Sequence, residues 1–161
     1  MRYAQLRSMD ITNGEGIGVA LFVQGCDFRC KCCFNSNTWD FNGGHEWNEN
    51  IENNMFNMCG NEYINHLSIL GGEPMHPNNA CDVIRISKKF KELYPNKKIW
   101  VWTGYLIDNI PNNEILEYAD YIIDGQYDDS KKDFRLKFRG SSNQRVWEKG
   151  TDGIWVLKKT D

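Results

Sequence analysis

Apolar residues in this chain fall into short blocks that alternate between two periods. Gly18 to Gly25, G-V-A-L-F-V-Q-G, is almost continuously apolar and rich in branched and aromatic side chains, the pattern of a strand buried on both faces. Ile64 to Leu70, Lys98 to Thr103 (K-I-W-V-W-T) and Asp120 to Asp124 (D-Y-I-I-D) repeat that pattern, and residues 3–9 suit a shorter edge strand. Between the blocks the period lengthens. Trp47, Ile51, Met55 and Met58 recur at steps of four and three, and Val83, Ile86, Phe90 and Leu93 form a stripe with lysines opposite. These spacings predict amphipathic helices over 47–59 and 79–94, the second stopped by Pro95 and Asn96, with a shorter helix over 113–119.

Strand, helix, strand, helix, strand, helix, strand is the rhythm of an α/β fold, with mostly parallel strands and right-handed crossovers expected. A chain of 161 residues buries about 70% of its unfolded surface around one core, so 1–161 reads as a single domain. It is short for eight βα units, and the expected form is a small, partial, laterally open barrel. Three predicted strands run into glycine beside a polar or acidic residue, at Gly71, Gly104 and Gly125, which places the chemistry on one rim. Residues 35–46 read as a polar loop. Beyond 126 a charged stretch, D-D-S-K-K-D-F-R-L-K-F-R-G-S-S-N-Q-R, precedes a last strand over 153–159.

The strand at 18–25 delivers the chain into C-D-F-R-C-K-C-C-F-N-S-N-T-W, with four of the six cysteines in eight residues. So polar a stretch is no piece of core, and clustered thiolates suit zinc or an iron–sulfur cluster. The net charge of −3 and pI near 5.6 carry no basic footprint, so no nucleic-acid partner is expected. No run of about 18 apolar residues and no signal-peptide core is present, so the expectation is no membrane partner and a cytoplasmic location. A reducing compartment favours metal binding over disulfides.

Cys26, Cys30 and Cys33 stand as C-x3-C-x2-C. A closed zinc site would need a fourth ligand from Cys32, Cys59 or a histidine, whereas a [4Fe–4S] cluster on three cysteines leaves one iron open. Cys59 and Cys81 read as small core residues. His45, His66 and His76 stand alone and read as surface or packing residues. The many aromatics read first as core.

With Phe34-Asn35 behind the third cysteine and G-G-E-P at 71–74 after the next strand, this loop resembles the radical S-adenosylmethionine superfamily. W-V-W-T-G-Y at 100–105, I-I-D-G-Q-Y at 122–127 and R-G-S-S-N-Q-R at 139–145 are similar to the glycyl-radical-enzyme activases that serve the anaerobic ribonucleoside-triphosphate reductase, a likeness spanning nearly the whole chain. Two departures stand out. Lys31-Cys32 replaces the usual Pro-Gly or similar pair, leaving Cys32 as an alternative third ligand, although the Phe34-Asn35 tail favours Cys33. Asn13-Gly14-Glu15-Gly16 replaces the more usual Asp-Gly start.

The resemblance implies a [4Fe–4S] cluster on Cys26, Cys30 and Cys33 whose open iron binds the amino and carboxylate groups of S-adenosyl-L-methionine. Gly71 and Gly72 would let backbone carbonyls reach the methionine ammonium, and Glu73 would add a charge-assisted contact. Thr103 and Asp124, which end neighbouring strands on the same rim, read as contacts to the cofactor's sugar or a cation or else as solvated strand ends, and Asn35 and Ser36 as caps of the cysteine loop or contacts to the cofactor. No catalytic side chain beyond cluster and cofactor is implied. The implied reaction is one-electron cleavage of S-adenosylmethionine to a 5′-deoxyadenosyl radical, which takes a hydrogen atom from a glycine of the large reductase subunit. An external one-electron donor is therefore the second implied partner. The alternatives are action on another glycyl-radical protein or a small heterocycle, or a noncatalytic zinc or iron–sulfur module. The basic cluster Lys131, Lys132, Arg135, Lys137, Arg139 and Arg145 reads as a solvated face, or else as a docking face for an acidic partner with Arg139 or Arg145 reaching the cofactor's carboxylate.

Overall fold

The computed structural model describes residues 1–160. Its strands are β1 (Arg2–Asp10), β2 (Gly18–Val23), β3 (His45–Glu46), β4 (His66–Gly71), β5 (Lys98–Trp102), β6 (Tyr121–Asp124), β7 (Arg145–Lys149) and β8 (Trp155–Leu157). The helices are α1 (Glu49–Cys59), α2 (Pro77–Leu93) and α3 (Ile115–Tyr118). All eight strands join one sheet in the order β3-β1-β2-β4-β5-β6-β7-β8.

The centre of that sheet, β2-β4-β5-β6, is parallel as expected. The flanks are not. Among the described residues β1 pairs antiparallel with β2 and β3, and β7 pairs antiparallel with β6 and β8, so antiparallel pairings outnumber parallel ones. The mostly parallel sheet expected from sequence is therefore corrected to a mixed sheet. Helical crossovers join the central strands, while the short connections from β1 to β2 and from β7 to β8 allow only antiparallel return, and the longer link from β6 to β7 carries no α-helix to cross the sheet.

Alternation along the parallel strands separates two faces. Val19, Leu21, Leu67, Ile69, Ile99, Val101 and Ile122 pack with Met55, Phe56, Val83, Ile86, Phe90 and Ile115 of the three helices into the main core. The opposite face carries Ala20, Phe22 and Leu70 in one cluster and Trp100, Tyr121, Ile123 and Val146 in another, with Trp102 against both. All three helices thus contribute to the core on one face, and the other is left to floor a cavity.

The helices begin where the sequence provides caps. Asn48 accepts the Ile51 N–H at 3.0 Å through its side chain, with Glu49 and Glu52 in the first turn of α1. Pro77 opens α2 with no donor to lose. Glu52, almost buried, is neutralised by both Arg85 nitrogens at 2.7 Å, tying α1 to α2. The four parallel strands all point their C-terminal ends at the same rim, which is where the cysteine loop, Gly71-Gly72, Thr103-Gly104 and Gly125 follow.

Candidate metal and cofactor site

The rim closes over a cavity of about 460 Å³ on the helix-free face of the sheet. That is in the ordinary range for a small-molecule site. Its lining includes Cys26, Cys30, Cys33 and Asn35 from the cysteine loop, Gly71, Gly72 and Glu73 from the end of β4, and Thr103 and Gly104 from the end of β5. The sequence therefore brings together all but one of its candidate site residues.

The two ends of the cysteine loop are joined to each other. Gly25 N donates to Thr38 O at 2.7 Å, and Cys26 N to Trp39 O at 3.1 Å. Inside it, Cys33 N donates to Cys30 O at 3.1 Å and Asn35 N to the Cys33 Sγ at 3.4 Å. Arg29 and Cys32 both hold positive φ, 50° and 58°, a conformation that costs an L-residue about 1–2 kcal/mol. Cys32 is exposed and absent from the cavity lining, and its thiol meets the Asp129 carboxylate. The left-handed kink at Cys32 thus separates it from its three neighbours.

Burial, with the Glu73 carboxylate adding to it, pushes the Cys26 thiol up to about 11, and burial and the nearby Cys33 raise Cys30. A cation bound beside these thiols would offset that cost and favour the thiolates. Among the described residues no three His, Cys, Asp or Glu side chains converge on one point as ligands of a single ion. Thiolates spread around one cavity suit a cluster, in which each binds a different iron.

Gly71 lies at φ +101°, and a Cβ on Gly72 would sit 2.5 Å from Gly25 O. Two hydrogen bonds stitch this strand end beside the cysteine loop, Gly72 N to Val23 O and Glu73 N to Gly25 O, each 2.8 Å. Glu73 is buried, and burial raises its carboxyl above the ordinary carboxylate value. It accepts from Thr103 Oγ1 at 2.7 Å, Gly104 N at 2.7 Å and Met75 N at 2.9 Å, binding the end of β4 to the end of β5. Thr103 is thus engaged with Glu73 at the cavity wall.

Asp124 departs from the expectation. Its fully buried carboxylate accepts Arg145 Nε at 2.9 Å, Arg145 Nη2 at 2.5 Å and Ile107 N at 2.8 Å, and it does not line the cavity. Arg145 serves that pair and not the cavity, whereas Arg139 lines it. In the rest of the basic stretch Lys131, Lys132 and Arg135 pair with Asp128, Asp129 and Asp133. Cys59 is buried as expected, but Cys81 is exposed, a correction that follows from its place on the outer side of α2. His76 meets Asp27 at 2.9 Å, His45 is exposed, and His66 is buried.

Sequence alone missed the aromatic walls, among them Phe22, Phe28, Trp39, Trp102, Tyr127 and Phe138, and the contribution of Thr12 and Asn13. The alternation in K-I-W-V-W-T was the available signal for Trp102, which shares a face with Trp100 and points away from the helices.

A family model described as a 4Fe-4S single cluster domain matches residues 12–147. Proteins named anaerobic ribonucleoside-triphosphate reductase-activating protein are similar over most of their length. The one from Enterobacteria phage T4 is 37% identical over 155 residues, covering 96% of this chain and 98% of its own. Those from Vibrio cholerae and Escherichia coli strain K12 are each 36% identical over 150 residues, covering 91% of this chain and 97% of their own.

Proposed function

The chain belongs to the family of anaerobic ribonucleoside-triphosphate reductase-activating proteins and carries the 4Fe-4S single cluster domain, and from that premise we propose that it is itself a radical S-adenosylmethionine activase of the large reductase subunit. The observation that carries this reading is the convergence of Cys26, Cys30 and Cys33 with Gly71, Gly72 and Glu73 on one cavity, from which Cys32 is absent. The donor set fits a [4Fe–4S] cluster, and Cys26, Cys30 and Cys33 are the residues that would hold it. Bound together, cluster and S-adenosylmethionine would supply a one-electron cleavage and a carbon radical able to take hydrogen from a glycine of the partner.

The chain's own residues hold and shield. A side chain on Gly71 or Gly72 would run into the backbone of Phe22 to Gly25, so the two glycines let the end of β4 lie close against the start of the cysteine loop, where their backbone carbonyls can meet an ammonium group. Glu73, clamped by Thr103 and Gly104, offers fixed negative charge at the cationic end of that ligand. Asn35 lies beside Cys33, where its backbone N–H already donates to the Cys33 sulfur. Asp124 acts at one remove, by anchoring Arg145 and the Ile107 amide behind the rim. Phe22, Trp102 and Phe138 keep water from the reacting atoms.

The mixed sheet with its cavity on one face suits a partial, laterally open barrel in one domain, with the open side admitting a glycine-bearing loop. An external one-electron donor completes the reaction. No helix among the described residues is long and apolar enough to cross a membrane.

Anaerobically reconstituted protein under strong reductant should convert S-adenosylmethionine to methionine and 5′-deoxyadenosine, resolved by chromatography. Full cluster loading with no cleavage would sink the reading.

A further inference from the structure

His66 opens β4 on the cavity face of the sheet and is 1% exposed. Its ring sits behind the turn at 12–16, where it meets two backbone oxygens. Nε2 is 2.7 Å from Asn13 O and Nδ1 is 3.1 Å from Glu15 O. Ser68, two residues along the same face, donates its hydroxyl to the same Asn13 carbonyl. Carbonyls only accept, so a ring nitrogen that bonds here does so as an N–H donor, and the contact to Asn13 is the shorter of the two.

The turn is shaped around this ring. Gly14 and Gly16 hold φ of +110° and +83°, and a Cβ on Gly14 would lie 2.7 Å from His66 Nε2. On its other side the turn is closed by Asp10, which accepts Thr12 N at 2.9 Å and Asn13 N at 2.8 Å. Asn65 Oδ1 accepts Ile17 N at 3.0 Å just beyond. The carboxylates of Asp10 and Glu15 are the charges nearest the ring, themselves paired with Arg7 and Lys158, and Trp100 packs beside it from β5. Burial, against the pull of these carbonyls and carboxylates, holds the imidazole below its ordinary pKa.

Thr12 and Asn13 line the cavity. The Asn13 carbonyl, gripped by two donors from β4, therefore fixes the wall that faces the cysteine loop across the cavity. We propose that His66 is a positioning residue which, with Ser68, pins the Asn13 peptide and so sets the cavity wall against which S-adenosylmethionine binds. This rests on the reading of the cavity as an S-adenosylmethionine site.

The test uses the cluster-loaded protein with S-adenosylmethionine as probe, measuring affinity by anaerobic equilibrium dialysis and amide hydrogen exchange at residues 12–16 without ligand. His66→Phe should weaken affinity and speed exchange in the turn about tenfold, the equivalent of one hydrogen bond, while exchange in β5 stays unchanged. His66→Gln, whose amide can donate to the same carbonyl, should restore both to within about threefold. Ser68→Ala, which leaves the glycine cradle intact, should move both in the same direction by a smaller factor and decides the matter if His66→Phe fails to fold. Unchanged affinity in folded His66→Phe or in Ser68→Ala overturns the inference, as does a His66→Gln variant no better than His66→Phe. Wild-type protein that binds no S-adenosylmethionine overturns the functional reading instead, while the exchange measurement still tests the pin.

Discussion

Replacing Arg145 with Met should cost the protein stability before it costs it ligand. The Asp124 carboxylate is fully buried and has three donors, two from Arg145 at 2.9 and 2.5 Å and one from Ile107 N at 2.8 Å. Removing the guanidinium leaves a buried carboxylate with a single donor, a loss of about 3–5 kcal/mol for a fully enclosed pair. The Arg145 side chain is 35% exposed, so water can enter the space it leaves, which favours the lower end, about 3 kcal/mol. For a domain of this size that lowers Tm by roughly 6–12 °C. Urea unfolding of the metal-free protein, followed by circular dichroism, should show the shift at unchanged m. The Asp124→Asn, Arg145→Met double variant, with no charge left to bury, should regain most of the loss and give a coupling of about 1–3 kcal/mol in the cycle. If Arg145→Met keeps wild-type stability yet loses S-adenosylmethionine binding, the arginine serves the cofactor directly and the buried pair has been misjudged.

Gly72→Ala should place a methyl 2.5 Å from Gly25 O and force β2 and β4 apart beside the cysteine loop, lowering stability by about 1–3 kcal/mol and cutting cluster content measured as iron per chain. Cys33→Ala should abolish cluster assembly, whereas Cys32→Ala, exposed and outside the cavity, should retain the visible absorption of the wild type. The Glu52 carboxyl is held below its ordinary 4.5 chiefly by the Arg85 hydrogen bonds. Because the unfolded chain binds that proton more readily, this contribution is present above about pH 4.5 and drains away as pH falls through the folded value. Glu52→Gln should therefore be less stable than wild type at pH 7, with the gap narrowing below pH 4.5 in parallel urea titrations.

What the sequence revealed and what it hid follow from the same physics. The strands at 18–23, 66–71, 98–102 and 121–124 are buried on both faces, so their apolar runs stand out, and their shared parallel direction placed Cys26, Gly71, Gly72 and Thr103 on one rim. Residues 145–149 stayed hidden because Arg145, Trp147, Glu148 and Lys149 are all half-exposed in a strand near the sheet's edge, leaving only Val146 inward. The partners of Asp124 were hidden for a related reason. Sequence fixes the strand it ends, but its carboxylate is claimed by Arg145, which arrives from β7 21 residues later. His66 looked solitary because its partners are carbonyls of a glycine turn some fifty residues upstream, which carry no side-chain signal.

The activase reading is tested at its root by mixing the reconstituted, reduced protein with S-adenosylmethionine and the large subunit of the anaerobic ribonucleoside-triphosphate reductase, and recording the electron paramagnetic resonance spectrum. A glycyl radical doublet should grow on the large subunit, collapse toward a singlet when its glycine is α-deuterated, and be absent with Cys26→Ala, Cys30→Ala or Cys33→Ala. Cleavage of S-adenosylmethionine with no glycyl radical on that partner, under conditions where the large subunit is intact, would contradict it.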